Sequence, residues 1–270
     1  MKNLFILFIS YFFFVHAQAA NIDTLWVESP AMQKKIPNVI ITPNGYKASK
    51  NSYPVLYLLH GATDSFTAWI TKAKGVQKLA DQYNIVIVCP DGGYTSWYFD
   101  SPIDPKMQYE TYISKELIKE IDTKYKTIKH KKGRAITGLS MGGHGAFYLA
   151  FKHQDVWGAA GSMSGGVDIR PFPNNWDIAK RLGNYSKNIQ LWEENTVTNM
   201  LHLLKKDELK LAFECGTEDF FYEVNKKLHE KLLANNIPHD YPERPGKHNW
   251  DYWTNAIKYQ VLFFDDFFRS

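Results

Sequence analysis

A chain of 270 residues with 44% hydrophobic and 22% charged residues has the composition of an ordinary globular protein, and room for one large α/β domain or two small ones. Its net charge is only +4, and its basic residues are dispersed apart from 129–134 (KHKKGR), which reads as a solvated turn, so nucleic acid is not an expected partner. Two cysteines, with no CxxC and no Cys/His cluster, point away from a metal site.

The first twenty residues, MKNLFILFISYFFFVHAQAA, place Lys2 ahead of an apolar run from Leu4 to Val15 and close on the small-x-small triplet Ala17-Gln18-Ala19. That run is shorter than the roughly 20 residues a membrane span requires. Residues 1–19 are therefore predicted to be a cleavable signal peptide, with a mature chain that begins near Ala20 and works outside the cytoplasm, secreted or periplasmic. No cysteine follows the run, so neither a lipid anchor nor a stable membrane anchor is expected.

Residues 20–54 read as a leading β region, with LWVES and NVIIT rich in strand formers and PNGYKASKNSYP supplying turns. Five short apolar runs follow: VLYLLH (55–60), IVIVCP (85–90), AITGLS (135–140), AAGSMSG (159–165) and LKLAFECG (209–216). Runs of this length without polar alternation fit strands buried on both faces, as in a parallel sheet. Cys89 and Cys215 lie near the ends of two of them and are expected as buried free thiols rather than as a disulfide.

Helical patterns fill the intervals. Residues 111–125 place Ile113, Leu117, Ile118 and Ile121 on one face; 223–235 do the same with Val224, Leu228, Leu232 and Leu233, and an aromatic-rich helix closes the chain. The alternation predicts an α/β fold, a mostly parallel central sheet with helices on both faces. Residues 166–205 break the rhythm with prolines, asparagines and short helical pieces, and read equally as a surface excursion or a lid-like insertion.

The candidate chemistry centres on Gly-Leu-Ser-Met-Gly, 138–142. It joins a strand-like run to a helix-like one, and a turn this sharp lifts the Ser140 oxygen clear of the backbone while glycines let neighbouring chain pass close. A serine hydroxyl needs a base to take its proton, and in such strand–turn–helix sites the chain order is serine, acid, histidine. Of the downstream histidines, His229 lies in a helical pattern and His239 opens a predicted strand, whereas His248 sits in the Pro/Gly loop RPGKHN ahead of the last helix. His248 is the candidate base. Asp219, three residues past Gly216, is the candidate acid that orients it, with Glu218 as the alternative. Two backbone N–H groups are candidates for an oxyanion hole, those of Met141 and of Ala62 in the loop His60-Gly61-Ala62-Thr63. His60 is read as shaping that loop, and His144, one turn into the helix, breaks the chain order.

Five ordered motifs, LLHG…W (58–69), PDGG…SWYxDS (90–101), GLSMGG (138–143), CGxxD (215–219) and GxHxWxxW (246–253), together resemble the esterase D-like esterase family, across residues 30–268. The family includes feruloyl and acetyl xylan esterases, S-formylglutathione hydrolases and mycolyltransferases. The resemblance implies an α/β-hydrolase esterase domain over 20–270, a serine carboxylic ester hydrolase with Ser140, His248 and Asp219 as triad, and no cofactor. It also marks Trp97, Asp100, Ser101 and Trp250 as candidate substrate contacts. With the leader, it implies an acylated carbohydrate or a small ester as substrate, carrying a feruloyl, other cinnamoyl or acetyl group. A thioesterase of the S-formylglutathione type and a sugar acyltransferase are the alternative activities on the same scaffold.

Overall fold

The computed structural model describes residues 20–270; the predicted leader, 1–19, lies outside the described residues. The apolar runs become strands. In chain order these are β1 (Asn21–Ser29), β2 (Lys34–Thr42), β3 (Val55–Leu59), β4 (Val86–Pro90), β5 (Arg134–Gly138), β6 (Ala159–Met163), β7 (Lys210–Gly216) and β8 (Glu243–Arg244). They form one sheet in the order β1-β2-β4-β3-β5-β6-β7-β8. Only β2 runs against its neighbours, pairing antiparallel with β1 and β4 while every other pair is parallel.

Period-two alternation feeds two cores. On β3, Val55, Tyr57 and Leu59 join one apolar cluster and Leu56 and Leu58 the other. The first cluster is covered by α5 (Met141–Lys152), α8 (Tyr222–Ala234) and the segment before β5. The second is covered by α1 (Ala68–Lys72), α2 (Val76–Tyr83) and the 20-residue α9 (Trp250–Arg269). Both short helices between β3 and β4 escaped the apolar-pattern reading. Among the described residues, no helix is long and apolar enough to cross a membrane.

Three expectations are refined. The helix predicted over 111–125 is α3 (Tyr109–Thr111), a π-helical turn (Tyr112–Leu117) and α4 (Ile118–Lys124), with all four predicted apolar residues buried. On α8 the stripe is Val224, Leu228 and Leu232, whereas Leu233 is 57% exposed, because one further residue turns the side chain about 100° away from the sheet. His239 does not open a strand: Asp240 makes a single bridge to Ala212, and the ladder resumes only at the two residues of β8. Cys89 and Cys215 are buried and unbridged, as expected.

The 166–205 stretch holds α6 (Ile178–Leu182), α7 (Ile189–Glu194), short 3-10 turns and no strand. It is packed rather than loose. Val167 and Ile169 are buried, Thr198 N–H donates to the Val167 carbonyl (3.1 Å), and Arg170 bridges Asp168 and Glu193 at 2.7 Å each.

Candidate active site

The register of β3 on β5 aligns Leu59 with Gly138, so the loops beginning at His60 and Leu139 leave the sheet side by side at the carboxyl end. Here the chain turns at Ser140 into α5. Ser140 adopts φ 55°, ψ −117°, a sparsely populated conformation that costs on the order of 1–3 kcal/mol and persists only where surrounding structure enforces it. The enforcing contacts are visible: Ser140 N–H donates to the Met163 carbonyl (2.9 Å), and its own carbonyl accepts from His144 N–H (3.1 Å) and Gly166 N–H (3.3 Å). Gly142 is required by close approach, since a Cβ there would lie 2.6 Å from the His60 carbonyl oxygen.

The half-buried His248 completes a hydrogen-bonded chain. Its Nε2 lies 2.9 Å from Ser140 Oγ, across 108 residues of sequence, and its Nδ1 lies 2.8 and 3.0 Å from the two carboxylate oxygens of Asp219. An ionised carboxylate only accepts, so Nδ1 carries the proton and the Nε2 lone pair faces the serine hydroxyl. The Asp219 side chain is fully buried and also accepts from Phe221 N–H (2.8 Å), which fixes its rotamer. Glu218, the alternative acid, points outward instead: its side chain is 57% exposed and lies 3.6 Å from Lys247.

The candidate oxyanion donors sit on the adjoining loops. A side chain on Gly61 would fall 3.4 Å from Ser140 Cβ, which places the half-buried Ala62 beside the serine. Neither Ala62 N–H nor Met141 N–H, at the first position of α5, takes an acceptor among the described residues. Two free donors flanking a candidate nucleophile, one at a helix N-terminus, suit a developing negative oxygen. His60 holds this loop as expected: its Nε2 accepts from Gly92 N–H (2.8 Å), its Nδ1 donates to the Gly61 carbonyl (2.8 Å), and burial pushes its pKa down. His144 is likewise no base. It is buried, donates to the Asn195 carbonyl (3.1 Å), and burial lowers its pKa to about 4.

The candidate substrate contacts separate. Trp97 is fully enclosed, its ring edge-on to His144 (5.3 Å) and its Nε1 bonded to the Trp176 carbonyl (3.1 Å). Asp100 spends both oxygens on Thr111, at 2.9 and 2.6 Å, and the buried Ser101 donates to the Arg181 carbonyl (2.7 Å). Trp97 and Ser101 are thus buried with their polar groups bonded within the fold, and the half-buried Asp100 is bonded to Thr111. Trp250 stays half-buried, edge-on to Trp69 (5.1 Å) and Trp253 (5.5 Å).

The aromatic residues that do face the site are others. Phe220 is 53% exposed, lies 4.2 Å from the His248 ring and stacks on Trp176 (5.7 Å, 17°) from the 166–205 insertion. Phe172 and Phe221 extend the cluster. Tyr94, 63% exposed, holds the next residue of the Ala62 loop through its backbone, its carbonyl accepting from Thr63 N–H (2.7 Å). The only sequence signal for Phe220 was its place directly after Asp219 in TEDFF; for Trp176 there was none.

A doubly covered sheet of this order, with a serine on the strand–helix turn after β5 and a histidine on a late loop, defines an α/β hydrolase. The "Putative esterase" family model matches residues 29–264, and the chain belongs to that esterase family. Among curated relatives, Esterase Rv1288 of Mycobacterium tuberculosis is 29% identical over 238 residues, 77% of this chain and 51% of the relative. An acetyl esterase of Caldicellulosiruptor saccharolyticus is 26% identical over 214 residues, 75% of this chain and 79% of the relative. The chain thus spans about half the length of the mycobacterial relatives that it matches. A solved ferulic acid esterase superposes with a TM-score of 0.81 at 26% identity, covering 93% of this chain and 99% of that one.

Proposed function

We propose that this chain is an exported serine esterase that removes aromatic acyl groups, of the feruloyl or cinnamoyl kind, from plant-type polysaccharide. The observation that carries the hydrolytic part is the unbroken chain Asp219–His248–Ser140 beside the two free N–H groups of Ala62 and Met141. In this reading His248 Nε2 takes the Ser140 proton as Oγ bonds to the ester carbonyl carbon. The carbonyl oxygen, now negative, is held by the two N–H donors. His248 then returns the proton to the departing alcohol, leaving an acyl-serine; a water deprotonated by the same imidazole attacks it, and the imidazolium gives that proton to Ser140 Oγ as the C–O bond breaks and the acid leaves. Asp219 keeps the imidazole in the required tautomer and compensates its transient charge.

The acyl preference rests on the exposed face formed by Phe220 and Trp176 next to His248, since flat aromatic surfaces reward a flat aromatic ligand. The likeness to a ferulic acid esterase points the same way. Acetyl removal is the second reading, favoured by the likeness to an acetyl esterase. The insertion acts in this proposal as a fixed wall of the site, a lid in position though not in motion. Export rests on the leader-like 1–19, and secreted material is expected to begin near Ala20.

Hydrolysis of p-nitrophenyl acetate, methyl ferulate, acetylated xylan and S-formylglutathione tests the assignment. Methyl ferulate is expected to show the highest kcat/KM. A preference for S-formylglutathione would replace the polysaccharide reading with a thioesterase one.

A further inference from the structure

Glu214 is a charged residue within the buried sheet that the Ser140–His248–Asp219 chain leaves unused. It lies on β7, five positions before Asp219, and is fully buried. Its Oε2 accepts from the Tyr252 hydroxyl (3.1 Å) and pairs with the Arg244 guanidinium, while its Oε1 has no partner among the described residues. Arg244, on β8, also lies 4.0 Å above the Tyr259 ring. Tyr252 and Tyr259 both belong to α9, so one carboxylate ties together β7, β8 and the last helix.

What these three elements enclose is the loop 245–249, PGKHN, that carries His248. The Arg244 carbonyl accepts from Thr217 N–H (3.0 Å) and the Gly246 carbonyl from Glu218 N–H (2.9 Å), so the loop is stitched to the turn that presents Asp219. At the far end Asn249 caps α9 by accepting from Tyr252 N–H (3.0 Å). The base and its acid therefore stand on one backbone frame, and Glu214, Arg244 and Tyr252 hold its outer side. Stability alone is a poor reason for such a cluster, because apolar replacements of a buried ion pair are often as stable or more so. Position is a better one, since a displacement of about 1 Å at a catalytic group costs on the order of 10²-fold in rate.

We propose that Glu214, Arg244 and Tyr252 are positioning residues that set the His248 loop in register with the Asp219 turn, an inference that rests on the hydrolytic reading above. The test measures melting temperature, kcat and KM on p-nitrophenyl acetate for Glu214→Leu, Arg244→Met, their double variant, Arg244→Lys and Tyr252→Phe, alongside Ser140→Ala. Each charge-removing single variant is expected to melt lower, since it strands a buried charge. The double variant is expected to regain most of the melting temperature while kcat stays at least about tenfold below wild type, with KM within about twofold. Arg244→Lys restores part of the kcat, and Tyr252→Phe loses about tenfold, the scale of one hydrogen bond to a charged acceptor. Recovery of kcat together with stability in the double variant overturns the proposal. If that variant does not fold, wild-type kcat in both Arg244→Lys and Tyr252→Phe overturns it instead. An active Ser140→Ala would sink the hydrolytic reading itself; an inactive one beside fully active clamp variants removes only the clamp.

Discussion

The two halves of the site are built by different means. Ser140 is held by backbone: a strand end, a strained turn, close-packed glycine and the first turn of α5, with backbone bonds to Met163, His144 and Gly166. His248 is held by distant groups: Asp219 from the end of β7, ring contacts from Phe220, Phe221 and Trp253, and a loop tied to β7 and α9. A nucleophile must stand proud of the backbone, and a contiguous hexapeptide can do that. A base must meet both the nucleophile and an acid, and only tertiary structure brings the three together. The serine half should therefore respond most to changes of backbone conformation around the turn, and the histidine half to changes of side chains far from it in sequence.

The largest effect belongs to the proposed nucleophile. Ser140→Ala is expected to lower kcat by on the order of 10⁵ to 10⁶ on every ester, with melting temperature little changed. Asp219→Asn should cost on the order of 10⁴ in kcat, since the amide favours the wrong imidazole tautomer, whereas Glu218→Gln should stay within about twofold. Steady-state kinetics on one fast ester separates the pair. Equal losses at the two positions would mean that the His248 loop can choose between acids, and the histidine half would then be looser than its hydrogen bonds imply.

How much of this was legible follows the same division. Ser140, Met141 and the flanking strand and helix could be read from one contiguous motif, because sharp turns depend on which residues are glycine. Asp219 and His248 followed from chain order and from their places after a strand and before a helix, without any knowledge of what they touch. For Trp97, Asp100 and Ser101 the motif gave nearness to the site but not the direction of the side chain: Trp97 and Ser101 are buried, and Asp100 is bonded to Thr111. Trp176 and Glu214 carried no signal beyond residue type, and Phe220 only its place directly after Asp219, since their roles arise from contacts across 44, 28 or 30 residues. β8 is two charged residues long, too short for any periodicity to mark it.

The aromatic wall tests whether the histidine half also selects substrate. Phe220→Ala and Trp176→Ala are each expected to reduce kcat/KM for methyl ferulate by roughly fivefold to tenfold, the worth of one aromatic pair, while p-nitrophenyl acetate changes less than about twofold. Specificity is the ratio of the two, so a uniform loss on both esters would assign the ring of Phe220 to holding His248 rather than to reading the acyl group. Competition between the two esters in one reaction gives that ratio directly.

The smallest effect falls on the far end of α5, the helix that Ser140 begins, and is set by pH. Glu110, buried on α3, accepts from the Tyr148 hydroxyl (2.7 Å), Lys152 Nζ (2.6 Å) and His153 Nε2 (2.9 Å), all at the carboxyl end of the helix that Ser140 begins. Burial alone would raise its pKa, but the bonds from His153, Lys152 and Tyr148 prevail and hold it at about 2, against an ordinary value of 4.5. A depressed carboxyl pKa adds stability that is fully present above the unfolded-state value and is lost as pH falls toward the folded one. The window is therefore about pH 4.5 down to 2, and the contribution is on the order of 2 kcal/mol once solvent screening is allowed for. Thermal unfolding between pH 2.5 and 7 should show wild type losing stability across that window, and Glu110→Gln, already less stable at neutral pH, losing less. Curves that stay parallel would place the acid sensitivity of the fold elsewhere, and the far end of α5 would then be anchored by packing of Phe147 and Phe151 rather than by charge.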